Sequence, residues 1–173
     1  SGAARTATMS FDEDFVELVA AALDDVGLDA VVVGNVGGIL HGAPVLTEDV
    51  DLIVRDTPRN REKLAEFARS IGGSRPEKIS ELSRVLRIHA AAPVDAHFDQ
   101  ISGNLKFSSL KSRSRLIQVG RCEIRVASLR DIIKSKEAAG RPKDIACLPI
   151  LRDTLRVEEA AARSSRGVHR YRK

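Results

Sequence analysis

The chain is poor in the features that would make it something other than a compact intracellular protein. Only two cysteines occur in 173 residues, Cys122 and Cys147, and they form no motif with each other. That offers no disulfide framework, and both are expected as reduced packing residues. No apolar run comes near the roughly 20 residues that cross a bilayer. No apolar leader marks the N-terminal residues, so the cytoplasm is the expected compartment. No internal repeat is present, which excludes a solenoid or propeller. The length is short for two domains with cores of their own.

What is present is a globular composition, 43% hydrophobic, with a net charge of +4 and a pI near 9.3. Five of the cations sit in the last eleven residues. Segments of helical and strand periodicity alternate. Ser10 to Glu13 reads as a capping box opening a helix through Phe15, Leu18, Val19, Ala22 and Leu23, which Gly27 would end. Val31–Val33 reads as a buried strand, 36–40 as a short helix and Val50–Val54 as a second strand. Thr57-Pro58 marks a helix start that Gly72-Gly73 closes. Strands are expected over 85–90 and 94–98, and a hairpin over 116–126 through Gly120-Arg121. Ser128 to Asp131 is a second capping box. A last helix is expected from Lys143 towards Ala162, strained or split by Pro149. The order predicts an α+β fold, a mixed sheet with helices packed on it. Residues 1–9 are expected to be disordered, 10–162 to form one domain, and 163–173 to be a basic, glycine-broken tail.

The chemistry concentrates in residues 31–54. Gly34-Asn35-Val36-Gly37-Gly38 links the first strand to the short helix. Such a turn lets backbone N–H groups approach a phosphate, although a bare strand-to-helix turn would look alike. The next strand carries Asp49 and Asp51, two residues apart and therefore on one face. Two anions side by side repel unless a cation lies between them. Magnesium, with its preference for carboxylate, phosphate and water oxygens, suits such a pair. Asp95 shares a strand face with His97 and Asp99. Asp95 could complete a metal cluster or deprotonate a hydroxyl, while His97 and Asp99 fit a solvated face. Lys136 could offer a point charge to a triphosphate, with Asp144 orienting that lysine or touching the nucleotide, although ordinary surface charge at a helix junction would look alike.

Together these residues resemble the nucleotidyltransferase-fold proteins of the DNA polymerase beta type, most closely the minimal bacterial group that includes AbiEii- and MenT-type toxins. The resemblance runs through Gly34-Asn35, His41-Gly42, Pro44-Val45, Thr47 and Asp49-Val50-Asp51, then Lys136, Arg141, Lys143 and Asp144. Asn35 and Val45 depart from it, standing where Gly or Ser and Arg are usual. The resemblance implies a nucleotidyltransferase with Mg2+ (or Mn2+) on Asp49, Asp51 and Asp95. Gly34, Asn35, Lys136 and Asp144 would hold a nucleoside triphosphate, and Asp49, Asp51, Asp95 and Lys136 would carry the reaction. It further implies a tRNA 3′ end as acceptor and an antitoxin protein as partner. The basic tail suits RNA phosphates or simply keeps the chain soluble. Two alternatives stand beside this expectation: nucleotide transfer to a partner protein, and a catalytically degenerate fold that only binds RNA or protein.

Overall fold

The computed structural model describes residues 12–170; Ser10 of the expected capping box and the segment 1–9 lie outside them. Asp12 caps the first helix instead, its Oδ1 accepting from the Phe15 N–H at 3.2 Å. The elements are α1 (Glu13–Val26), β1 (Ala30–Val33), α2 (Gly34–Leu40), β2 (Val50–Val54), α3 (Pro58–Ser70), β3 (Glu77–Lys78), β4 (Leu86–Ile88), β5 (Val94–Phe98), β6 (Gln100–Ile101), β7 (Leu105–Lys106), α4 (Phe107–Arg113), β8 (Arg115–Val119), β9 (Cys122–Val126), α5 (Leu129–Ala139) and α6 (Pro142–Arg170). This is the α+β architecture that the sequence predicts.

Seven strands form one mixed sheet in the order β3-β4-β5-β2-β1-β9-β8, and β6 pairs with β7 as a separate hairpin. β1 and β2 are antiparallel, while β2 and β5 run parallel. Strand alternation sorts the central side chains onto two faces. Val32, Val50, Leu52, Val54, Val94, Ala96 and Phe98 share one core with Phe15, Val16 and Val19 of α1 and Leu64 and Phe67 of α3. Val31, Val33 and Ile53 share the other with Leu129, Ile132 and Ile133 of α5 and Leu148 and Leu151 of α6. Burying each such side chain is worth about 1.5–3 kcal/mol, so the central strands are pinned in register from both sides. Asp51, Asp95 and His97 belong by alternation to the second face. They therefore emerge where the packing of α5 and α6 ends.

Local chemistry explains the element ends. Thr57 accepts from the Asn60 N–H at 3.0 Å with Pro58 as the first helical residue. Ser128 accepts from the Asp131 N–H at 3.2 Å. Asp131 does not reach back to complete that box, because its carboxylate takes the Arg113 guanidinium at 2.8 Å. Leu18, expected in the apolar stripe of α1, is 42% exposed, and Val16 is buried in its place. Residues 100–114, which carry little periodicity, form the β6–β7 hairpin and α4.

Pro149 neither splits nor ends the last helix, which is continuous from Pro142 to Arg170 and contains it. Pro149 is exposed, so the carbonyl four residues earlier, left without its helical donor, can turn to water. Leu148 and Leu151, beside it, hold the helix to the core. Residues 163–170 thus continue α6 rather than breaking at Gly167. Among the described residues no helix is long and apolar enough to cross a membrane.

Candidate active site

Three neighbouring strands assemble the site in one row. In register, Arg87 of β4 lies opposite Asp95 of β5, Asp95 beside Asp51 of β2, and Asp51 opposite Val33 at the end of β1. Cross-strand partners in register face the same side. Arg87, Asp95 and Asp51 therefore meet without any special loop geometry. Asp49, two residues before Asp51, joins on the same face. One carboxylate oxygen from each of Asp49, Asp51 and Asp95 lies within 4.8 Å of the others.

Electrostatics make this an acidic knot. The Asp49 carboxyl is pushed above the ordinary carboxylate range, first by burial and then by the charges of Asp51 and Asp95; Lys143 and Arg87 oppose the shift. Arg87 donates to both oxygens of Asp95, Nε to Oδ1 at 2.7 Å and Nη2 to Oδ2 at 2.8 Å. It also lies 3.8 Å from Asp49. The carboxylates hold the Arg87 guanidinium firmly in its charged form, the Asp95 hydrogen bonds most of all.

The hydrogen bond between His97 Nε2 and Asp51 Oδ1, at 3.0 Å, fixes the Asp51 side chain. His97 was expected on a solvated face; the parallel pairing of β2 with β5 places it beside Asp51 instead, a neighbour that strand alternation within β5 cannot reveal. Asp99 does sit at the surface. Its backbone turns left-handed (φ 64°), and its Oδ1 accepts from the Asp56 N–H at 2.9 Å.

The glycines divide into two kinds. Gly34 has φ +68°, and a Cβ there would lie 2.5 Å from Asp51 Oδ2. Its lack of a side chain is what lets the chain turn directly against the carboxylate. Gly37 and Gly38 have a packing role: a Cβ would meet Ile132 Cδ1 at 2.8 Å and Leu151 Cδ2 at 2.7 Å. They allow α2 to nest against α5 and α6, and both are buried, whereas Gly34 borders the cleft.

Asn35 also departs from expectation. Its amide, which suits a phosphate by its chemistry, donates one hydrogen to the Leu46 carbonyl at 2.9 Å. Val45, in the arginine's place, is 7% exposed and packs in the second core. Asn35 and Val45 thus anchor the loop that leads to Asp49. His41 is likewise structural. Its ring is 1% exposed, Nε2 donates to the Ala127 carbonyl at 2.8 Å, and Nδ1 lies 2.9 Å from Glu158 on α6.

A cleft of about 820 Å³ opens beside the Asp51 end of the row. Gly34, Asp51 and His97 line one side; the β6–β7 hairpin from Gln100 to Asn104 and Lys136, Arg141 and Asp144 complete it. Asp144 is 1% exposed and tied on both oxygens, to Arg141 Nε at 2.7 Å and Lys136 Nζ at 3.3 Å. Burial alone would raise its carboxyl, but the Arg141 hydrogen bond and the Lys136 charge outweigh burial and hold it below the ordinary range. Asp144 therefore orients two cations on the cleft wall. Arg141, at the α5–α6 junction, joins Lys136 there because Gly140 turns left-handed (φ 61°) and reverses the chain between the helices.

The donor set fits a divalent cation: Asp49 and Asp51 are partly exposed, offer only oxygen, and crowd Asp95 closely enough that burial and mutual repulsion outweigh Lys143 and Arg87 at Asp49. No family model matches the sequence, and no curated protein matches it either. Solved structures do. ANT(2″)-Ia in complex with adenylyl-2″-tobramycin aligns over 92% of this chain and 98% of its own, with 15% identity and a TM-score of 0.60. The solution structure of the same antibiotic-resistance factor aligns over 92% and 95%, with 17% identity and a TM-score of 0.58. A candidate nucleotidyltransferase from Thermotoga maritima aligns over 79% and 89%, with 18% identity and a TM-score of 0.57. At these identities the likeness is one of fold, and the fold is that of the nucleotidyltransferases.

Proposed function

We propose that this chain is a divalent-metal-dependent nucleotidyltransferase that moves a nucleoside monophosphate from a nucleoside triphosphate to an RNA hydroxyl. In this reading the acceptor is the tRNA 3′ end, and the chain is an AbiEii/MenT-type toxin restrained by an antitoxin protein. The observation that carries the reading is the acidic row of Asp49, Asp51 and Asp95 beside a side-chain-free turn at Gly34, at the edge of a nucleotide-sized cleft.

Asp49 and Asp51 would hold Mg2+ or Mn2+, which when bound neutralises phosphate charge and polarises the α-phosphate. The Gly34 turn gives Asp51 room at the cleft edge, where the triphosphate would lie beside both. Lys136 and Arg141 face it across the cleft and offset its negative charge, with Asp144 fixing their positions. An acceptor hydroxyl attacks the α-phosphorus in line. A new P–O bond forms as the bond to pyrophosphate breaks, and the hydroxyl proton passes to the acidic row. The cationic residues late in α6, Arg163 and Arg166, suit an RNA acceptor because phosphate contacts add affinity without sequence choice.

A second reading keeps the chemistry and changes the acceptor to a small polyhydroxylated molecule. It is favoured by the nearly full-length alignment with ANT(2″)-Ia, a structure that holds adenylyl-2″-tobramycin. Incubation with each α-labelled triphosphate, Mg2+ and, in separate arms, total RNA, total protein and aminoglycosides decides between them. Label in tRNA that Asp49→Ala abolishes is the expected result. Label confined to the aminoglycoside arm would establish the second reading, and label confined to protein a third acceptor. No label in any arm refutes the enzyme.

A further inference from the structure

Resting on the metal-site reading above, we infer that Arg87 is a built-in cation of this site: it takes Asp95 out of the metal's coordination shell and leaves Asp49 and Asp51 as a site for one ion. Four observations converge. Both Asp95 oxygens accept from Arg87, at 2.7 and 2.8 Å. Bidentate guanidinium–carboxylate pairs are the strong, geometrically specific kind. Arg87 faces Asp95 directly across the β4–β5 ladder, so the pair forms with no backbone adjustment. The Asp95 side chain is 7% exposed, against 32% for Asp49 and 24% for Asp51, and Asp51 is the member of the triad that lines the cleft. Finally, Arg87 is the cation hydrogen-bonded into the row, while Lys143 and Arg141 act on Asp49 and Asp51 only from further off, so the Asp49–Asp51 end is where a divalent ion is still called for.

The alternative would put a second ion between Asp95 and Asp51. That ion would have to share the oxygens of a recessed carboxylate that already accept two charge-assisted hydrogen bonds, and would lie beside the Arg87 guanidinium. Like charges at that distance repel strongly in a partly desolvated site. Arg87 therefore does with a side chain what a second metal does elsewhere: it holds the acidic row together and fills its far end. It acts as a positioning residue, through Asp95 and the 3.8 Å approach to Asp49.

The test is Mn2+ binding to the full chain, read by the electron paramagnetic resonance of free Mn2+ and by titration calorimetry, with thermal unfolding in parallel. Wild type should bind one Mn2+ per chain. Arg87→Met/Asp95→Asn, which leaves the net charge of the row unchanged, should keep that ion with affinity changed by less than about threefold, whereas loss of a ligand or its support costs about tenfold or more. Arg87→Met frees Asp95 and should bind a second Mn2+, and that ion should restore part of the lost melting temperature. Arg87→Met/Asp95→Asn, with both charges gone, should return to one ion and keeps the comparison valid if Arg87→Met folds poorly. Two ions in wild type, or a tenfold weakening by Arg87→Met/Asp95→Asn, would overturn the inference while leaving a metal site standing. Unchanged binding by Asp49→Asn/Asp51→Asn would instead overturn the metal-site reading itself.

Discussion

Replacing Gly34 by alanine tests whether the turn at the end of β1 exists to give Asp51 room. The left-handed backbone, φ +68°, costs a non-glycine residue about 1–2 kcal/mol. The new Cβ would lie 2.5 Å from Asp51 Oδ2, inside any real contact distance, and the nearest yielding group is the carboxylate itself. Turning Asp51 off its rotamer adds about 0.5–1.5 kcal/mol and strains the 3.0 Å His97 bond. Alanine recovers about 0.4–1 kcal/mol through a less flexible unfolded chain. The strain wins, with a net loss of about 1–2 kcal/mol. At about 2–4 °C per kcal/mol for a domain of this size, melting should fall by several degrees. The larger effect should be on the cation: with Asp51 turned, Mn2+ affinity should drop about tenfold or more. Gly38→Ala is the control. Its Cβ meets Leu151 Cδ2 at 2.7 Å, in the core and away from the carboxylates, so it should lower the melting temperature without moving Mn2+ affinity. Gly34→Ala binding Mn2+ as wild type does, at full occupancy, would refute the argument.

Other outcomes follow from the same geometry. Leu151→Ala, at a fully buried position against Gly38, should cost about 2–5 kcal/mol in urea unfolding. Asp49 carries a raised carboxyl, so its ionised form is a burden on the fold that appears as pH rises through the raised value. Asp49→Asn should therefore raise the melting temperature of the metal-free protein at pH 7 while weakening Mn2+ binding, and the stabilisation should vanish towards pH 4. Asp144 has the opposite sign: its carboxyl is lowered, so its stabilisation is present above the ordinary aspartate range and lost as pH falls through the folded value. Asp144→Asn should destabilise at pH 7, and the gap to wild type should close in acid unfolding below about pH 4. In transfer assays, Lys136→Met should raise the KM for triphosphate more than it lowers melting, because Arg141 still holds Asp144 at 2.7 Å.

Much of the molecule could be read along the chain. Helix starts at Thr57 and Ser128, the strand from Val50 to Val54 and the shared face of Asp49 and Asp51 follow from capping chemistry and strand alternation, which act over a few residues. Lys136 and Asp144 were legible as a pair through family resemblance, and the cleft places them together. What the chain could not disclose were contacts between segments far apart. Arg87 belongs to the site only because β4 pairs with β5, and His97 only because β5 lies parallel to β2. Gly37 and Gly38 look like phosphate-turn glycines until α5 and α6 are packed against them. Asn35 looks like a phosphate donor, and the loop at Leu46 folds back to take one of its two amide hydrogens. The sequence by itself determined the strand, the carboxylates and the turn, because period-two alternation and glycine's conformational freedom are properties of neighbouring residues. The tertiary structure alone decided which carboxylate faces the cleft and which is held by an arginine, because register across a sheet is set by the packing of both faces.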